Sequence, residues 1–388
     1  MRFSEALAAP GLGAIAEIKR RSPSLGDIRP DADPARIAAD YERVGAAAVS
    51  VLVDERFGGS WDDLRAARAA ARLPLLAKGF FSTSEHLRTA KEAGADAVLL
   101  LLRDLDDARA AELMRMAAEL GLDTLVETHD RAELDRADAL RAPVIGINAR
   151  DLSTFELDRA TQLDLVAQSH KASPRPLVVA ESGVHTRAQG AAAELAGADA
   201  ILVGSALMQA PDPAEKLADL LRRPLVKVCG LTREEDVAVA AEAGADLAGF
   251  VLAPESPRAA REVLPVPDSL LAVAVWVGEA RESAAQLDQV HERADGVVRG
   301  RAGALFRQGE RVATVHDLPW EGEDPEHWTR AAQADGRVVL AGRLAADNVV
   351  AAIHSVRPWA VDASSRLELA PGIKDHGAIR AYVEAARG

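Results

Sequence analysis

Apolar runs that end in polar or glycine residues recur along the first part of the chain. Eight of them precede Ala210, and such continuous apolar runs are typical of strands buried on both faces of a parallel sheet. They are AIAEIKRRS, AAAVSVLVD, LPLLAKGF, ADAVLLLL, DTLVETH, VIGINARD, PLVVAES and AILVGSAL. A phrase joining a helix end, a glycine turn and an apolar strand recurs as EAGADAVLL, LAGADAILVGSAL and EAGADLAGFVL, and more weakly as VGAAAVSVL. This repeated αβ unit favours a closed (β/α)8 barrel over an open α/β sheet, because eight units are present.

A second series of strands follows the segment Ala210–Pro224, which predicts a last helix and a junction. Its seven candidates are LVKVCGLT, LAGFVLA, LLAVAVWVG, GVVRGR, RVATVHD, VVLAGR and AVDASS. The segment Trp320–Trp328 is acidic and irregular where a strand and a loop are expected. The predicted fold is therefore α/β, with two consecutive (β/α)8 TIM-barrel-type domains over residues 1–222 and 223–388. The second is truncated, with about seven recognisable strands.

Composition narrows the functional class. The 388 residues carry a formal net charge of −14 without a basic patch, which argues against nucleic-acid binding. An anionic ligand would have to be held locally, by backbone N–H groups and a few cations. Cys229 is the single cysteine, so an intrachain disulfide and a cysteine-cluster metal site are excluded. Neither a signal peptide nor an apolar run of ~18 residues is recognisable, which predicts a cytoplasmic enzyme without membrane partners.

Ionisable residues stand at several of the predicted strand ends, which meet at one rim in a barrel. Glu17 and Lys19 are two positions apart and so point to the same side of their strand. Lys78 and Glu127 end the third and fifth strands. Two lysines and two glutamates at one rim suit proton delivery to a carbonyl and proton removal elsewhere on the same substrate. The alternative for these residues is a structural network of ion pairs.

Two small-residue turns follow the seventh and eighth strands. They are ESGV (Glu181–Val184) and VGSAL (Val203–Leu207). Glycine and serine there leave backbone N–H groups available at a helix start, where such barrels bind phosphate. The alternative is a pair of tight turns with ordinary helix caps.

These motifs together resemble a known family. AEIKRRSPS, DERFGGSW, AKGF, VETH, INARDL, ESGV and VGSAL, in this order, resemble indole-3-glycerol-phosphate synthase between Phe3 and Leu221. The family converts a small phosphorylated, anthranilate-derived substrate, carboxyphenylamino-deoxyribulose phosphate, to indole-glycerol phosphate. Carbon dioxide and water are lost, and the resemblance implies no cofactor and no metal. Another phosphate-binding barrel, of a thiazole-phosphate or imidazole-glycerol-phosphate synthase type, is the alternative, against which EIKxxSPS and NxRDL argue.

The resemblance implies a role for each matching residue. Lys78 would protonate the substrate ketone as the anthranilate ring carbon attacks it. The proton transfers of dehydration would fall to Glu127 and Lys19, with Glu17 and Asn148 orienting these groups and Glu181 assisting. The phosphate would be held by Ser182, Gly183, Gly204 and Ser205, with Lys19 and Ser22. The apolar wall would comprise Pro23, Phe57, Phe80, Leu100 and Leu152, and Arg150 would bind polar groups of the substrate.

The chain departs from this family in two places. The usual Lys-Asp-Phe is here Lys78-Gly79-Phe80, so a carboxylate beside the acid is missing. Gly79 is expected to point away from the rim, because side chains alternate along a strand. Family members also carry a longer N-terminal helix over the site, of which only the end, MRFSEALAAP, is recognisable.

The second domain resembles phosphoribosylanthranilate isomerase, the preceding step in tryptophan synthesis, which is fused to the synthase in known bifunctional proteins. The matching segments are KVCGLTREEDV, GADLAGFVLAPESPR, AVWVGE, ADNVVAAI and RPWAVDASSRLELAPGIKDH. The resemblance implies that Cys229 is the catalytic base, that Arg258 binds substrate and that Asp362 is the ordinary strand aspartate before two serines.

Several features of the isomerase family are missing, however. The strand ending in the acid aspartate, the Gly-Gly-Ser-Gly phosphate loop and Phe-Asp-Trp do not appear, and Arg343 replaces a glycine that approaches phosphate. VVRGRAG is the nearest segment to the usual Val-Gln-Leu-His-Gly, and Asp317 is a candidate replacement for the acid. Two hypotheses follow. The domain is a shortened active isomerase, or a non-catalytic barrel kept for folding, stability or contact with the first barrel.

Overall fold

The computed structural model describes residues 2–22, 25–151, 154–293, 302–318 and 324–388. The chain forms two compact units, Met1–His185 with Gly190–Leu221, and Thr186–Gln189 with Arg222–Gly388. Each unit contains a closed eight-stranded barrel, which confirms the prediction of two consecutive barrels.

The first barrel consists of eight parallel strands, one for each apolar run of the sequence. They are β1 (Gly13–Ile18), β2 (Ala48–Leu52), β3 (Leu75–Lys78), β4 (Ala97–Leu101), β5 (Asp123–Thr128), β6 (Val144–Asn148), β7 (Leu177–Glu181) and β8 (Ala200–Val203). Strand β1 pairs with β2 and with β8, and this second pairing closes the barrel. All eight carboxyl ends therefore lie at one rim.

Helices surround this barrel and follow the strands in the expected alternation. They are α1 (Phe3–Leu7), α2 (Pro34–Arg43), α3 (Trp61–Ala70), α4 (Ser84–Glu92), α5 (Asp107–Glu119), α6 (Arg131–Ala139), α7 (Arg159–Ser169), α8 (Arg187–Ala196), α9 (Ser205–Gln209) and α10 (Pro213–Leu221). Side-chain oxygens cap the starts of eight of them, which satisfies N–H groups that lack a partner within the helix. The caps are Asp33, Ser60, Thr83, Asp106, Asp130, Asp158, Thr186 and Asp212.

Two apolar layers hold the first barrel together. The inner layer fills the barrel, and the outer layer lies between the strands and the helices. Alternation along a strand assigns each residue to one layer. In β4, Leu99 and Leu101 belong to the inner layer, whereas Val98 and Leu100 belong to the outer one.

The second barrel also closes with eight strands, one more than the sequence candidates. They are β9 (Leu225–Cys229), β10 (Leu247–Val251), β11 (Leu271–Val277), β12 (Leu287–His291), β13 (Ala302–Arg307), β14 (Glu310–His316), β15 (Val338–Leu340) and β16 (Ala360–Ala363). Strand β13 is antiparallel to both β12 and β14, and the other neighbours are parallel. The barrel is therefore complete, but one of its strands is reversed.

This arrangement corrects the sequence analysis between β11 and β15. The strand after β11 is LDQVH, which was not among the candidates, and its Gln289-Val290-His291 is closer to Val-Gln-Leu-His-Gly than VVRGRAG is. The candidate GVVRGR and most of VVRGRAG lie outside the described residues, as does the start of the acidic segment Trp320–Trp328. The end of that segment begins a helix at His327.

Within the described residues of the second unit, four helices accompany the barrel. They are α11 (Glu234–Ala243), α12 (His327–Ala332), α13 (Val349–Val356) and α14 (His376–Arg387). Strands β10 and β11 are joined by residues 252–270, and β11 and β12 by residues 278–286, in both cases without an intervening helix, which contributes to the short length of this domain. In the described part of the chain, no helix has the length and apolar character that crossing a membrane requires.

Candidate active site

A cavity of about 390 Å³ opens at the carboxyl rim of the first barrel. Residues from the ends of β1, β3, β5, β6 and β7 line it or contact its lining, together with the turns after β7 and β8. The structure brings most of the predicted site residues to this cavity. Those in its lining are Glu17, Lys19, Ser22, Phe57, Lys78, Phe80, Glu127, Asn148, Arg150, Ser182, Gly183, Gly204 and Ser205.

Lys78 lies at the centre of the ionisable groups. Its Nζ atom is 2.6 Å from Glu181 Oε2, 3.4 Å from Glu127 Oε2 and 3.8 Å from Glu17 Oε2. The Lys78 side chain is 16% exposed, whereas the three carboxylates are buried. One ammonium group thus faces three acids and remains accessible from the cavity.

A second lysine neutralises part of the negative charge of these three acids. Lys19 Nζ is 3.0 Å from Glu17 Oε1, and both residues project from the same side of the chain, as their spacing predicts. Ser50 on β2 donates its hydroxyl to Glu17 Oε2 at 3.5 Å. Glu17 is therefore held from three sides.

Glu127 is held through its other oxygen. Asn148 Nδ2 donates a hydrogen bond of 2.9 Å to Glu127 Oε1. His129 Nε2 lies 3.2 Å from the same oxygen, and His129 Nδ1 lies 3.0 Å from Glu133 Oε2. Sequence reasoning did not assign roles to His129 or Glu133. The two-residue spacing of Glu127 and His129 could have indicated their common side, but Glu133 comes from α6.

Burial and neighbouring charges shift the pKa values in opposite directions. Burial alone would lower the pKa of Lys78, but the carboxylates of Glu181, Glu127 and Glu17 raise it above the usual range. Burial would raise the pKa of Glu127, and Lys78 and His129 outweigh this and hold it below the usual range. The pKa of Glu181 is raised, to about 8, because burial and the charge of Glu127 outweigh the effect of Lys78. At neutral pH Lys78 is therefore an ammonium group, and Glu181 is harder to ionise than a free glutamate.

Two glycines make room for these side chains. A Cβ atom added to Gly146 would lie 2.0 Å from Glu181 Oε1, and one added to Gly204 would lie 2.3 Å from Glu17 Oε1. Both carboxylates therefore depend on a neighbouring strand position that has no side chain.

The turns after β7 and β8 lie beside the charged groups. Ser182 and Gly183 have φ angles of +67° and +71°, a left-handed conformation that turns the chain sharply after β7. Gly204 and Ser205 join β8 to α9. Both turns line the cavity that Lys19 and Ser22 also reach. Backbone N–H groups in such turns bind anions.

The apolar wall contains stacked aromatic rings. Phe57 and Phe80 stack with their centroids 6.2 Å apart, and the Arg56 guanidinium lies 4.1 Å from the Phe80 ring centroid. Phe155 also lines the cavity and was missed from sequence. Pro23 and Leu152, which were predicted for this wall, lie outside the described residues.

The prediction of Leu100 in the wall is wrong. Leu100 is fully buried in the outer layer, against the helices, whereas Leu99 and Leu101 line the cavity. Because side chains alternate along β4, a choice that is wrong by one residue places the side chain on the opposite face.

Arg150 and Gly79 complete the rim. The Arg150 guanidinium donates to the Phe155 carbonyl at 2.9 Å, and burial lowers its pKa. Gly79 lines the cavity with its backbone, and an added Cβ would meet the Phe81 ring at 3.0 Å and Val53 at 3.3 Å. Both of these residues belong to the outer layer.

Comparison with known proteins assigns the first barrel. The family model for indole-3-glycerol phosphate synthase matches residues 1–220. The chain belongs to the indole-3-glycerol phosphate synthase family. The synthase of Mycobacterium ulcerans is 44% identical over 218 residues, which are 56% of this chain and 79% of that protein. The synthase of Aromatoleum aromaticum is 46% identical over 215 residues, covering 55% of this chain and 81% of that protein.

The second barrel has its own similarities. The family model for N-(5'-phosphoribosyl)anthranilate isomerase matches residues 326–385, so this synthase-family chain carries a divergent isomerase-like second domain. TrpF from Jonesia denitrificans is 28% identical, with a TM-score of 0.34, over 43% of this chain and 98% of that structure. The isomerase of Thermus thermophilus is 25% identical, with a TM-score of 0.34, over 42% and 97%.

Charged groups also fill the interior of the second barrel. Cys229 is buried at the end of β9. Lys227, 1% exposed, donates to Gln289 Oε1 at 2.6 Å and to Asp362 Oδ2 at 2.8 Å. Burial would lower the pKa of Lys227, but Asp362 and Cys229 raise it. Asp317 is buried directly after β14.

Arg258, the predicted binding residue of this domain, is engaged in an ion pair. Arg258 Nε lies 2.8 Å from Glu368 Oε2, and Lys374 Nζ lies 2.8 Å from Glu368 Oε1. Arg343 has a φ angle of +55°, and its carbonyl accepts a bond from Arg366, which also pairs with Asp347 at 2.7 Å. A left-handed arginine thus stands in the turn where the family has glycine.

Proposed function

We propose that the first barrel uses the Lys78 cluster to convert 1-(2-carboxyphenylamino)-1-deoxyribulose 5-phosphate to indole-3-glycerol phosphate. The observation that carries this assignment is the arrangement of Lys78 among Glu17, Glu127 and Glu181, beside two turns suited to phosphate. An acid, a base and an anion site within one cavity are what this reaction requires. The membership of the chain in the synthase family supports the substrate.

The raised pKa of Lys78 keeps it in the acid form at neutral pH. In the proposed mechanism the ring carbon that bears the carboxylate attacks the ketone carbon, and Lys78 donates a proton to the ketone oxygen. Carbon dioxide then leaves that ring carbon, and its bonding electrons restore the aromatic ring. Binding of the phosphate by the turns after β7 and β8 would hold the ketone close to Lys78.

Dehydration follows in the same cavity. Lys19 donates a proton to the departing hydroxyl group, and Glu127 removes the proton from the adjacent carbon, so that water leaves and the double bond of the indole forms. Glu17 orients Lys19, and Asn148 orients Glu127. Glu181 accepts a hydrogen bond from Lys78 at 2.6 Å and so positions the acid.

The test is the formation of indole-3-glycerol phosphate by the purified chain, followed by fluorescence. Replacing Lys78 by alanine should lower kcat by about 10²–10⁴-fold, which is the usual contribution of a general acid. Lys91→Ala is the control, because Lys91 lies on the surface in α4. Normal turnover by the Lys78→Ala variant would refute the assignment.

The cellular setting is part of the same proposal. The acidic composition and the small phosphorylated substrate support a cytoplasmic enzyme without nucleic-acid or membrane partners. Fractionation of cells that express the tagged full chain would test this location.

Isomerisation of N-(5-phosphoribosyl)anthranilate by the second barrel is a second candidate function. The observation that favours it is the position of Cys229 and Asp317 at the same rim of the barrel. Cys229 is the last residue of β9, and Asp317 directly follows β14. Asp317 would replace the missing acid. Full-length protein should then support growth of an isomerase-deficient strain without tryptophan, and Cys229→Ser should abolish growth. Failure of the full chain to complement would favour the non-catalytic alternative.

A further inference from the structure

A chain of charged groups links Glu127 to α6. Glu133 lies in the first turn of this helix, where its backbone N–H donates to the N-cap Asp130 at 2.8 Å. The Glu133 carboxylate accepts the backbone N–H of His129 at 2.8 Å and contacts its Nδ1 at 3.0 Å. The opposite nitrogen of the ring faces Glu127 Oε1 at 3.2 Å. Glu133 therefore fixes the imidazole through Nδ1, and Nε2 lies within ion-pair distance of Glu127 without forming a hydrogen bond.

This position determines the charge of the ring. The groups that face His129 are Glu127 from its own strand and Glu133 from α6. Burial would lower the pKa of His129, but these two acids raise it to about 9. At neutral pH the ring is therefore an imidazolium directed at Glu127.

The two oxygens of Glu127 have different surroundings. Oε1 receives Asn148 and faces His129, whereas Oε2 lies 3.4 Å from Lys78 Nζ. Among the described residues, Oε2 has no hydrogen-bond partner although it is buried. The charged groups around Glu127 come from four strands, and they are Lys78, Glu17, Glu181 and His129. Positive charge reaches Glu127 from Lys78 and from His129.

We propose that His129, locked in place by Glu133, is a positioning residue that keeps Glu127 ionised and presents its Oε2 atom to the substrate. This inference rests on the proposed function of Glu127 as a proton acceptor. During ring closure Lys78 gives up its proton, whereas His129 keeps its charge beside Glu127. The Glu133–His129 pair thus supplies a charge that the reaction itself does not consume.

The first experiment compares the pH dependence of kcat/KM for the wild type and for His129→Gln, which keeps a hydrogen-bond donor but loses the charge. The acid limb of the variant should move to higher pH by about one pH unit, because an adjacent cation lowers the pKa of a carboxylate by roughly 1–3 units. The control is His170→Gln, in an exposed histidine at the end of α7. A His129→Gln profile that is superimposable on the wild type, or lowered equally at every pH, would overturn the proposal.

A second measurement does not depend on activity. The ring of His129 is titrated by NMR in the wild type and in Glu133→Gln and Glu127→Gln. Its pKa should fall from about 9 towards the ordinary value of ~6.5 in each variant. An unchanged titration would overturn the proposal.

The two measurements separate this inference from the proposed function. Failure of the wild-type chain to form indole-3-glycerol phosphate refutes the function, whatever the NMR titration shows. A working synthase whose His129→Gln variant keeps the wild-type pH profile refutes only the role of His129.

Discussion

Glu181 is the residue at which the charge balance of the synthase site is decided. Lys78 faces three carboxylates, and Lys19 and His129 each neutralise a part of the surplus. Glu181 is the most deeply buried of the three acids and lies beside Glu127, so ionising it is unfavourable. Glu181 therefore retains its proton to a higher pH than a free glutamate does.

The retained proton links stability to pH. The pKa of Glu181 is about 8 in the folded chain and ~4.3 when unfolded, so its contribution is fully present below ~4.3 and is lost as the pH rises towards 8. The free energy of unfolding should fall by on the order of 1 kcal/mol per pH unit in this window. Glu181→Gln should remove this slope, whereas Glu119→Gln on the surface of α5 should keep it. Urea denaturation at several pH values measures both, and equal slopes would contradict the prediction.

At the residue scale, the sequence predicts the ionisable groups better than their neighbours. Glu17, Lys78, Glu127 and Glu181 each interrupt or end an apolar run, and that position marks them as facing the rim. His129 and Glu133 were missed because their function arises from a contact between a strand end and a helix.

At the element scale, strand β4 is a case in which the sequence does not indicate which side chains point into the barrel. Its core is a run of leucines, so no polar residue reveals which face is inside. Polar residues at the ends of β5, β6 and β7 reveal the inward face of those strands. The assignment of Leu100 to the cavity failed for this reason.

The two faces of β4 should respond differently to truncation. Leu100→Ala should lower the free energy of unfolding by about 2–5 kcal/mol, as large-to-small core changes do, and leave KM unchanged. Leu101→Ala removes part of the cavity wall and should raise KM for the substrate. Denaturation and steady-state kinetics on both variants check this, and a raised KM confined to Leu100→Ala would contradict the assignment.

The end of β3 makes a separate prediction. Restoring the carboxylate of the family with Gly79→Asp would direct the side chain at Phe81 and Val53 rather than into the cavity. The variant should lose about 1–3 kcal/mol of stability through overpacking and gain no activity. A substantial rise in kcat/KM would show that the aspartate reaches the substrate.

Strand β12, next to the reversed strand β13, shows why the strands of the second barrel were incompletely predicted. Strand β12 alternates polar and apolar residues, and its polar Gln289 points to the buried Lys227 rather than to solvent. The usual rule for alternating strands assigns polar residues to the outside, so LDQVH was passed over. A helix that would have marked the unit is absent between β11 and β12.

At the scale of the whole molecule, each barrel contains a buried lysine, and the two are used differently. Lys78 opens to a cavity, whereas Lys227 is enclosed by Asp362 and Gln289. Lys227→Met should therefore cost about 3–5 kcal/mol, because it leaves Asp362 buried without its cation. The double variant Lys227→Met/Asp362→Leu should recover most of this loss. Urea denaturation followed by fluorescence measures it, and an unchanged midpoint for Lys227→Met would contradict the prediction.

The architecture of the whole chain was largely predictable, because repeated glycine turns and apolar runs are local signals. Closure of the second barrel was not, since it depends on pairing between strands of unusual direction. The close packing around Glu181 and Glu17 could not be predicted from the sequence either. It depends on Gly146 and Gly204, whose missing side chains leave room for the two carboxylates only in the folded barrel.

Gly146 shows what that space implies for the tolerance of the protein to mutation. The residue has no chemistry of its own, yet any side chain there would occupy the position of the Glu181 carboxylate. In a saturation scan selected for growth without tryptophan, Gly146 should tolerate as few substitutions as Lys78 does. The boundary of the active site, measured by selection, would then include a position inside the barrel that supports Glu181 and is not in the cavity lining.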